Sequence, residues 1–167
     1  MSLGQAIGDA MKELGLAVDD LDIPYGDSMI RKIRSGARKP APDIMPLLAD
    51  KLNSPEVSIK AWRELTNTGP AFLDGINIEL HRSSMKDRLL REFAEAVDAV
   101  RNFDTSKPPG RETDHERRSR KAHLMEVMDS LVFGYMYVAV ICMEYGDSFK
   151  ELHDVHFSRL KSLGLVQ

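Results

Sequence analysis

Two pairs of carboxylates in the second half of the chain have a spacing that suits a divalent metal ion. Glu92 and Glu95 lie three residues apart, and Glu126 and Asp129 have the same separation. Residues three apart share one face of an α-helix, so each pair would project from one side of its helix. If the two faces met, they would offer four carboxylates to Mg²⁺, which prefers oxygen ligands and commonly bridges to phosphates. The alternatives are a solvated face or ion pairs with nearby arginines at Arg88, Arg91, Arg117 and Arg118.

A run of positive charge in the first half of the chain indicates a different chemistry. Positions 31 to 39 hold five basic residues and no acid, namely Arg31, Lys32, Arg34, Arg38 and Lys39. The whole chain has a formal net charge of only -3, so affinity for a polyanion must come from such local clustering. A helix of about two turns with cations on one side fits the major groove of DNA, which is about 12 Å wide. The alternative is a solvent-facing charged surface on a small helical bundle.

The residues around this run predict the helix that would present it. Its start is marked by two residue types that cap helices, Asp27 and Ser28. Met29, Ile30 and Ile33 share the face opposite the cations, which is the spacing of a helix with one buried side. Gly36 supplies a left-handed stop, and two prolines soon after it prevent the helix from resuming.

Composition indicates a soluble globular protein with room for one domain or two small ones. Of the 167 residues, 43% are hydrophobic and 29% are charged. Cys142 is the single cysteine, so no intrachain disulfide can form and we expect a reducing, cytoplasmic setting. The N-terminus lacks the layout of a signal peptide. The most apolar run, 131–143, is shorter than the roughly 20 residues that span a bilayer, so we expect a core helix and no membrane partner.

The hydrophobic pattern predicts an all-α protein in two parts. Residues 1–66 form a helix-turn-helix bundle of four or five short helices, 67–78 form a linker, and 79–167 form a bundle of long helices. The short helices are predicted at 3–14, 28–35, 44–52 and 57–65, and 18–26 is predicted as a very short second helix and a turn. The long ones are predicted at 76–103 and 122–145, with a break at 104–110 and a last helix capped by Ser148.

The sequence from Ile30 to Leu52, with its Ile-x-x-Ile-x-x-Gly-x-x-x-Pro spacing running into an apolar helix, resembles the XRE (Cro and lambda-repressor type) DNA-binding domain. The resemblance covers roughly residues 3 to 65 and implies that the helix at 27–34 enters the major groove. Helix position then places four residues nearest the bases: Ser28, Met29, Arg31 and Lys32. Arg34, Arg38 and Lys39 would lie nearer phosphates. The chain departs from the family in its second helix, which is short and contains Pro24 and three aspartates.

The carboxylate pairs, the apolar helix after them and the glycine break at Gly146 resemble the MazG-type all-α nucleotide pyrophosphohydrolases. This resemblance covers about residues 86 to 164. It implies that Glu92, Glu95, Glu126 and Asp129 hold Mg²⁺. It also implies that two basic residues of the last helix, Arg159 and Lys161, meet phosphate. The same helices could instead be a degenerate fold that serves as a dimeriser or ligand sensor.

These observations lead to one expected function and two alternatives. We expect a sequence-specific, repressor-like transcriptional regulator that binds double-stranded DNA as a homodimer through its C-terminal helices, with no cofactor. The first alternative is a Mg²⁺-dependent nucleoside triphosphate pyrophosphohydrolase, for which Mg²⁺ and a nucleotide would be required. The second is a helix-turn-helix scaffold that binds another protein, because the shortened second helix places Asp19, Asp20 and Asp22 beside the DNA-facing region.

Overall fold

The computed structural model describes residues 1–104, 106 and 110–167, and all regular structure in that part of the chain is helical. This confirms the predicted all-α class. The α-helices of the described residues are α1 Leu3–Glu13, α2 Asp27–Arg34, α3 Ile44–Leu52, α4 Pro55–Thr66, α5 Arg82–Asn102, α6 Asp114–Tyr145 and α7 Phe149–Ser162. A 3₁₀ helix spans Asp19–Leu21. Within the predicted break at 104–110, residues 105 and 107–109 lie outside the described residues.

The chain divides into two compact units. One, here called the N-terminal unit, contains Met1–Asp74 and Ile141–Gln167, and the other, the middle unit, contains Gly75–Val140. The sequence-based division instead placed residues 141–167 with the long helices. They belong to the N-terminal unit because the start of α7 docks on the end of α3. Ser148 donates a hydrogen bond to the Asn53 side chain at 3.0 Å, and Phe149 is only 5% exposed.

The core of the N-terminal unit is built from the apolar faces of α1 to α4 and the 3₁₀ helix. Its buried members are Ala6, Ile7, Ala10, Met11, Leu21, Ile30, Ile33, Ile44, Leu48, Leu52 and Val57. The predicted second helix is reduced to the 3₁₀ turn, after which Asp22 adopts a left-handed conformation with φ of 49°. Tyr25 then ties the turn to the rest of the bundle, because its hydroxyl accepts a hydrogen bond from the N–H of Ala41 at 3.1 Å. The short helices therefore follow one another in the predicted order, with the second helix reduced to a 3₁₀ turn.

Helix α1 approaches α2 so closely that the contact requires glycine. A Cβ atom on Gly4 would lie 1.9 Å from the carbonyl oxygen of Ile33, well inside van der Waals contact. One turn later, a Cβ atom on Gly8 would lie 3.0 Å from Nε of Arg34, the flexible end of a side chain. The two glycines therefore differ in kind: one meets backbone and the other meets a movable group.

The first eight residues of the predicted linker pack on the N-terminal unit. Phe72 is 9% exposed, and the Lys60 ammonium lies 5.5 Å from the centre of its ring. The same ammonium is 2.7 Å from the carboxylate of Asp74. This hydrogen bond is the main reason that the pKa of Asp74 falls to about 2. The segment up to Asp74 is thus held by a charged contact and an apolar one.

Helix α5 begins at Arg82, six residues later than the predicted start at Ile76. Apolar residues at 76, 78 and 80 alternate with polar ones, a period that an α-helix cannot place on one face. His81 then caps the helix, because its Nδ1 accepts a hydrogen bond from the N–H of Ser83 at 3.3 Å. The predicted helix across 76–81 is therefore wrong, and the alternation was the overlooked signal.

Helix α6 begins at Asp114, eight residues before the predicted start at Ala122. The hydroxyl oxygen of Thr113 accepts a hydrogen bond from the N–H of Glu116 at 3.3 Å. In return, the Glu116 carboxylate accepts one from the N–H of Thr113 at 2.8 Å. This reciprocal pair is a capping box, and its Thr-x-x-Glu spacing is visible in the sequence.

Helix α6 is long and apolar enough to cross a membrane by length and composition. An 18-residue window within it has a mean hydropathy of 1.6, and 28% of that window is buried. Core helices of soluble proteins pass the same test. Met136, Ala139 and Val140 are 0% exposed, as expected for a core helix. Leu131 and Met143 are 55% and 42% exposed, so the expectation does not extend to every apolar residue of the run.

The α1–α2 contact predicts that Gly4→Ala destabilises the N-terminal unit. Overpacking typically costs about 1–3 kcal/mol and here meets a backbone oxygen, whereas alanine recovers only about 1 kcal/mol of helix propensity. We expect a net loss of ~2 kcal/mol in the free energy of unfolding, measured by urea denaturation. Gly8→Ala is the matched control and should stay within about 1 kcal/mol of the parent protein, because the Arg34 side chain can move aside. Equal losses for both variants would contradict the close approach at Gly4.

Candidate nucleic-acid interface

Burial fixes which side of α2 faces outward. Ile30 and Ile33 are both 0% exposed and belong to the core of the N-terminal unit. Arg31, Lys32 and Arg34 are exposed, as the 3.6-residue period requires when the two isoleucines point inward. The short helix therefore has one apolar side and one cationic side, as its sequence predicted.

The start of α2 differs from the prediction in its cap. The N-cap is Gly26, and no side chain caps it, whereas Asp27 and Ser28 were expected to do so. Asp27 is instead the first helical residue, where its negative charge interacts favourably with the helix dipole. Its carboxylate lies 3.6 Å from the Arg31 guanidinium, but both side chains are more than half exposed. An exposed pair of this kind contributes ~0.5 kcal/mol, so it does not prevent Arg31 from reaching another anion.

Of the four residues predicted to contact bases, Met29 is the least accessible. It is partly buried and packs against the core of the N-terminal unit, next to Ile30 and Ile33. Ser28 is exposed at the first turn of α2 and Lys32 is exposed one turn later. The accessible part of the predicted base-facing set is therefore Ser28, Arg31 and Lys32.

The end of α2 turns the chain so that two further cations follow the helix. Gly36 has φ of 75°, which confirms the predicted left-handed stop. The N–H of Arg38 then bonds to the carbonyl of Lys32 at 3.0 Å, and Pro40 is buried. Arg38 and Lys39 are both exposed between these two anchors. The turn therefore extends the basic surface beyond the last residue of the helix.

Lys39 has an acidic partner that the sequence did not reveal. Its ammonium forms an ion pair with the carboxylate of Glu64, on α4. The two residues are 25 positions apart in the chain, so no local spacing in the sequence could have predicted the contact. The Lys39 side chain is 80% exposed and that of Glu64 is 27% exposed. A phosphate approaching Lys39 would therefore compete with a carboxylate already in place.

Two of the three aspartates in the short second helix have local structural explanations. The carboxylate of Asp20 accepts a hydrogen bond from the N–H of Ala17 at 2.7 Å, which stabilises the start of the 3₁₀ turn. Asp22 occupies the left-handed position after that turn, a conformation that Asp tolerates better than most residues. Asp19 is exposed in the same turn. Asp20 and Asp22 thus stabilise the compact turn that forms the short second helix.

The four predicted metal ligands differ in their surroundings. Among the described residues no three His, Cys, Asp or Glu side chains lie close enough to hold a metal ion. Glu92 is 4% exposed, and its carboxylate lies 2.6 Å from Nε of Arg88. The same guanidinium lies 4.8 Å from the centre of the Phe133 ring. Glu92 is thus a buried carboxylate whose ion-pair partner is 45% exposed, whereas Glu95 and Asp129 are exposed and Glu126 is half-buried.

The predicted phosphate-binding residues are surface residues of the other unit. Arg159 and Lys161 are exposed on α7, which belongs to the N-terminal unit. The Lys161 ammonium lies 5.1 Å from the centre of the Phe157 ring, an ordinary cation–π contact. The four carboxylates belong to the middle unit. The cationic and acidic halves of the expected nucleotide site therefore occur in different compact units.

No family model, no curated protein and no solved structure matches this chain.

The Arg88–Glu92 ion pair, in which the carboxylate is buried and the guanidinium is 45% exposed, predicts unequal effects for its two partners. Arg88→Gln leaves the buried Glu92 carboxylate without its counter-charge, and we expect a loss of about 2–3 kcal/mol in the free energy of unfolding. Glu92→Gln removes the buried charge itself and leaves Arg88 partly solvated, so we expect less than about 1 kcal/mol. Glu95→Gln is the exposed control. Urea denaturation measures all three, and a larger loss for Glu92→Gln than for Arg88→Gln would contradict the structural role of this pair.

Proposed function

We propose that this protein is a sequence-specific, repressor-like transcriptional regulator that binds double-stranded DNA with α2 in the major groove. The observation that carries the proposal is the outward cationic side of α2, which is fixed by the complete burial of Ile30 and Ile33. Arg31 and Lys32 are the side chains best placed for base edges, with Ser28 at the start of the helix. Arg34, Arg38 and Lys39 contact phosphates on either side.

The element order supports this reading. A short α1, a minimal second helix, the basic α2 and two further helices follow one another within 66 residues, the order expected of a helix-turn-helix bundle. Five cations and no acid between positions 31 and 39 provide the local charge that the acidic whole chain lacks. The ~2-turn helix leaves few base contacts per subunit, so we propose that a cytoplasmic homodimer reads two half-sites about 34–36 Å apart.

No observation favours the pyrophosphohydrolase. A metal bridge to phosphates needs several free carboxylates in one place. Glu92 is instead paired with Arg88, so we assign the carboxylate pairs no catalytic step. The protein-binding alternative uses the same outward side of α2, and the experiment below separates it from DNA binding.

Replacing Arg31 and Lys32 together with alanine should abolish selective DNA binding without unfolding the protein. Both side chains are exposed, so the core is untouched, and each lost base or phosphate contact costs about 1–3 kcal/mol. The matched control is Arg117→Ala with Arg118→Ala, which removes the same charge from an exposed part of α6 and should leave binding unchanged. Fluorescence anisotropy on a duplex selected by the parent protein measures both.

The same titration at two salt concentrations tests whether the complex depends on contacts to DNA phosphates. A homodimer with roughly six phosphate contacts should lose about 10³-fold in affinity between about 50 and 200 mM salt. Undiminished DNA binding by the Arg31/Lys32 double variant would show that α2 does not bind in the major groove. The outward side of α2 would then bind a protein partner or no partner.

The Lys39–Glu64 ion pair predicts that Glu64→Gln tightens DNA binding. The substitution removes an acid beside a phosphate-facing cation and releases the ammonium, and exposed pairs of this kind contribute about 0.2–1 kcal/mol. We expect the dissociation constant to fall about two- to fivefold at low salt, and less at high salt. The control is the same change in a Lys39→Ala background, where the gain should shrink. A full gain in that background would show that Glu64 acts independently of Lys39.

A further inference from the structure

Helix α5 carries an exposed apolar stripe beside its buried side. Leu90, Phe93, Val97 and Val100 are 58%, 48%, 45% and 56% exposed. Their spacings of three, four and three keep them on one face of the helix. The buried face of α5 contains Met85, Glu92 and Ala96. At about 100° per residue, the exposed stripe is turned from that buried face by roughly a quarter of the helix circumference. The stripe therefore lies beside the buried face of α5.

Helix α6 carries a similar stripe in its first half. Leu124, Met128 and Leu131 are 47%, 48% and 55% exposed, and their spacings of four and three keep them on one face. Ser130, which is 6% exposed, lies on another side of the same turn. Both long helices of the middle unit thus present a row of large apolar side chains to solvent.

The two stripes lie at the same level along an antiparallel pair of helices. The rings of Phe103 and His123 stack with centres 4.5 Å apart. Further along, Phe93 of α5 reaches Gly134 of α6, where an added Cβ would be 4.0 Å from its ring. These two contacts put Val97 and Val100 opposite the segment of α6 from Leu124 to Leu131. We therefore treat the seven side chains of the two stripes as one apolar face.

The apolar face is large enough for a stable protein interface. Seven side chains, each about half exposed, offer roughly 100 Å² apiece, or about 700 Å² per protomer. A standard interface buries about 800 Å² per partner, whereas the largest apolar patch on a typical monomer is about 300–600 Å². Two helices alone also cannot enclose a core, because each needs a second layer against its apolar side.

We propose that this face binds the same face of a second copy, so that two α5–α6 pairs form a four-helix bundle. When two copies pair about a two-fold axis, the apolar face of one protomer contacts the same face of the other. A single interface then covers both stripes of both protomers. Four-helix bundles join helices through this kind of apolar stripe. This pairing would form the homodimer of the proposed function, and its role in DNA binding rests on that function. Dimerisation itself can be measured without DNA.

A lipid bilayer is the competing occupant, and two observations weigh against it. Asp129 and Glu144 bound a stretch of about 14 residues, which is roughly 21 Å of helix against the ~30 Å of a bilayer core. In addition, Met136, Ala139 and Val140 inside this stretch are fully buried by protein. The exposed apolar side chains of α6 thus lie near the charged residues that bound this stretch.

Sedimentation equilibrium of the full chain, without DNA, tests the proposal. The parent protein should have a mass of about 38 kDa, twice the 18.8 kDa of one chain. Val97→Lys on α5 and Leu131→Lys on α6 should each give the mass of a single chain, with circular dichroism showing that the helices are retained. Leu14→Lys is the matched control and should stay dimeric, because Leu14 is 53% exposed at the end of α1 and belongs to neither stripe.

Three results would overturn the proposal. The first is a monomeric parent protein at concentrations of tens of micromolar, which would leave the face to a different protein. The second is a folded dimer of both lysine variants, which would place the contact elsewhere. The third is flotation of the parent protein with neutral phosphatidylcholine vesicles, with flotation lost in Leu131→Lys, which would assign the face to lipid. Because none of these measurements uses DNA, their failure is distinguishable from a failure of the proposed DNA contact.

Discussion

The close contact between α1 and α2 is the constraint on which the proposed interface depends. Ile30 and Ile33 are fully buried, and Gly4 allows α1 to reach the carbonyl oxygen of Ile33. A helix of eight residues has little surface with which to fix its own rotation, so this contact determines which side faces outward. Once the two isoleucines point inward, Arg31 and Lys32 must point out. The charge pattern is thus a consequence of packing as much as of composition.

Local patterns in the sequence predicted what depends on neighbours a few residues apart. The 3.6-residue period gave the buried side of α2, and Gly36 gave its end, because both follow from backbone geometry. The predicted starts of α5 and α6 are wrong, although the sequence contains a signal for each: an alternating apolar pattern before His81 and the capping box of Thr113. The pairing of Lys39 with a carboxylate 25 positions away had no such signal, because it exists only after the helices have packed.

The middle unit shows the limit of reading chemistry from spacing. Glu92 and Glu95 do share a helix, but spacing along one helix cannot say whether a second helix brings its own acids to the same place. The structure gives the buried Glu92 a guanidinium at 2.6 Å instead, in a position where an unpaired carboxylate would be costly. The feature that spacing did not single out was the apolar face of α5 and α6, because its significance lies in exposure, which is a property of the fold.

The most direct test of DNA reading by α2 is selection of binding sites from duplexes with a randomised core of about 30 base pairs, which exceeds two half-sites about 10–10.5 base pairs apart. Such a selection finds the operator without assuming its sequence. We predict an enriched motif with two related half-sites, lost when Arg31 and Lys32 are both replaced by alanine. A folded, dimeric protein that enriches no sequence through repeated rounds would contradict the proposed function and leave the outward side of α2 without a DNA-binding role.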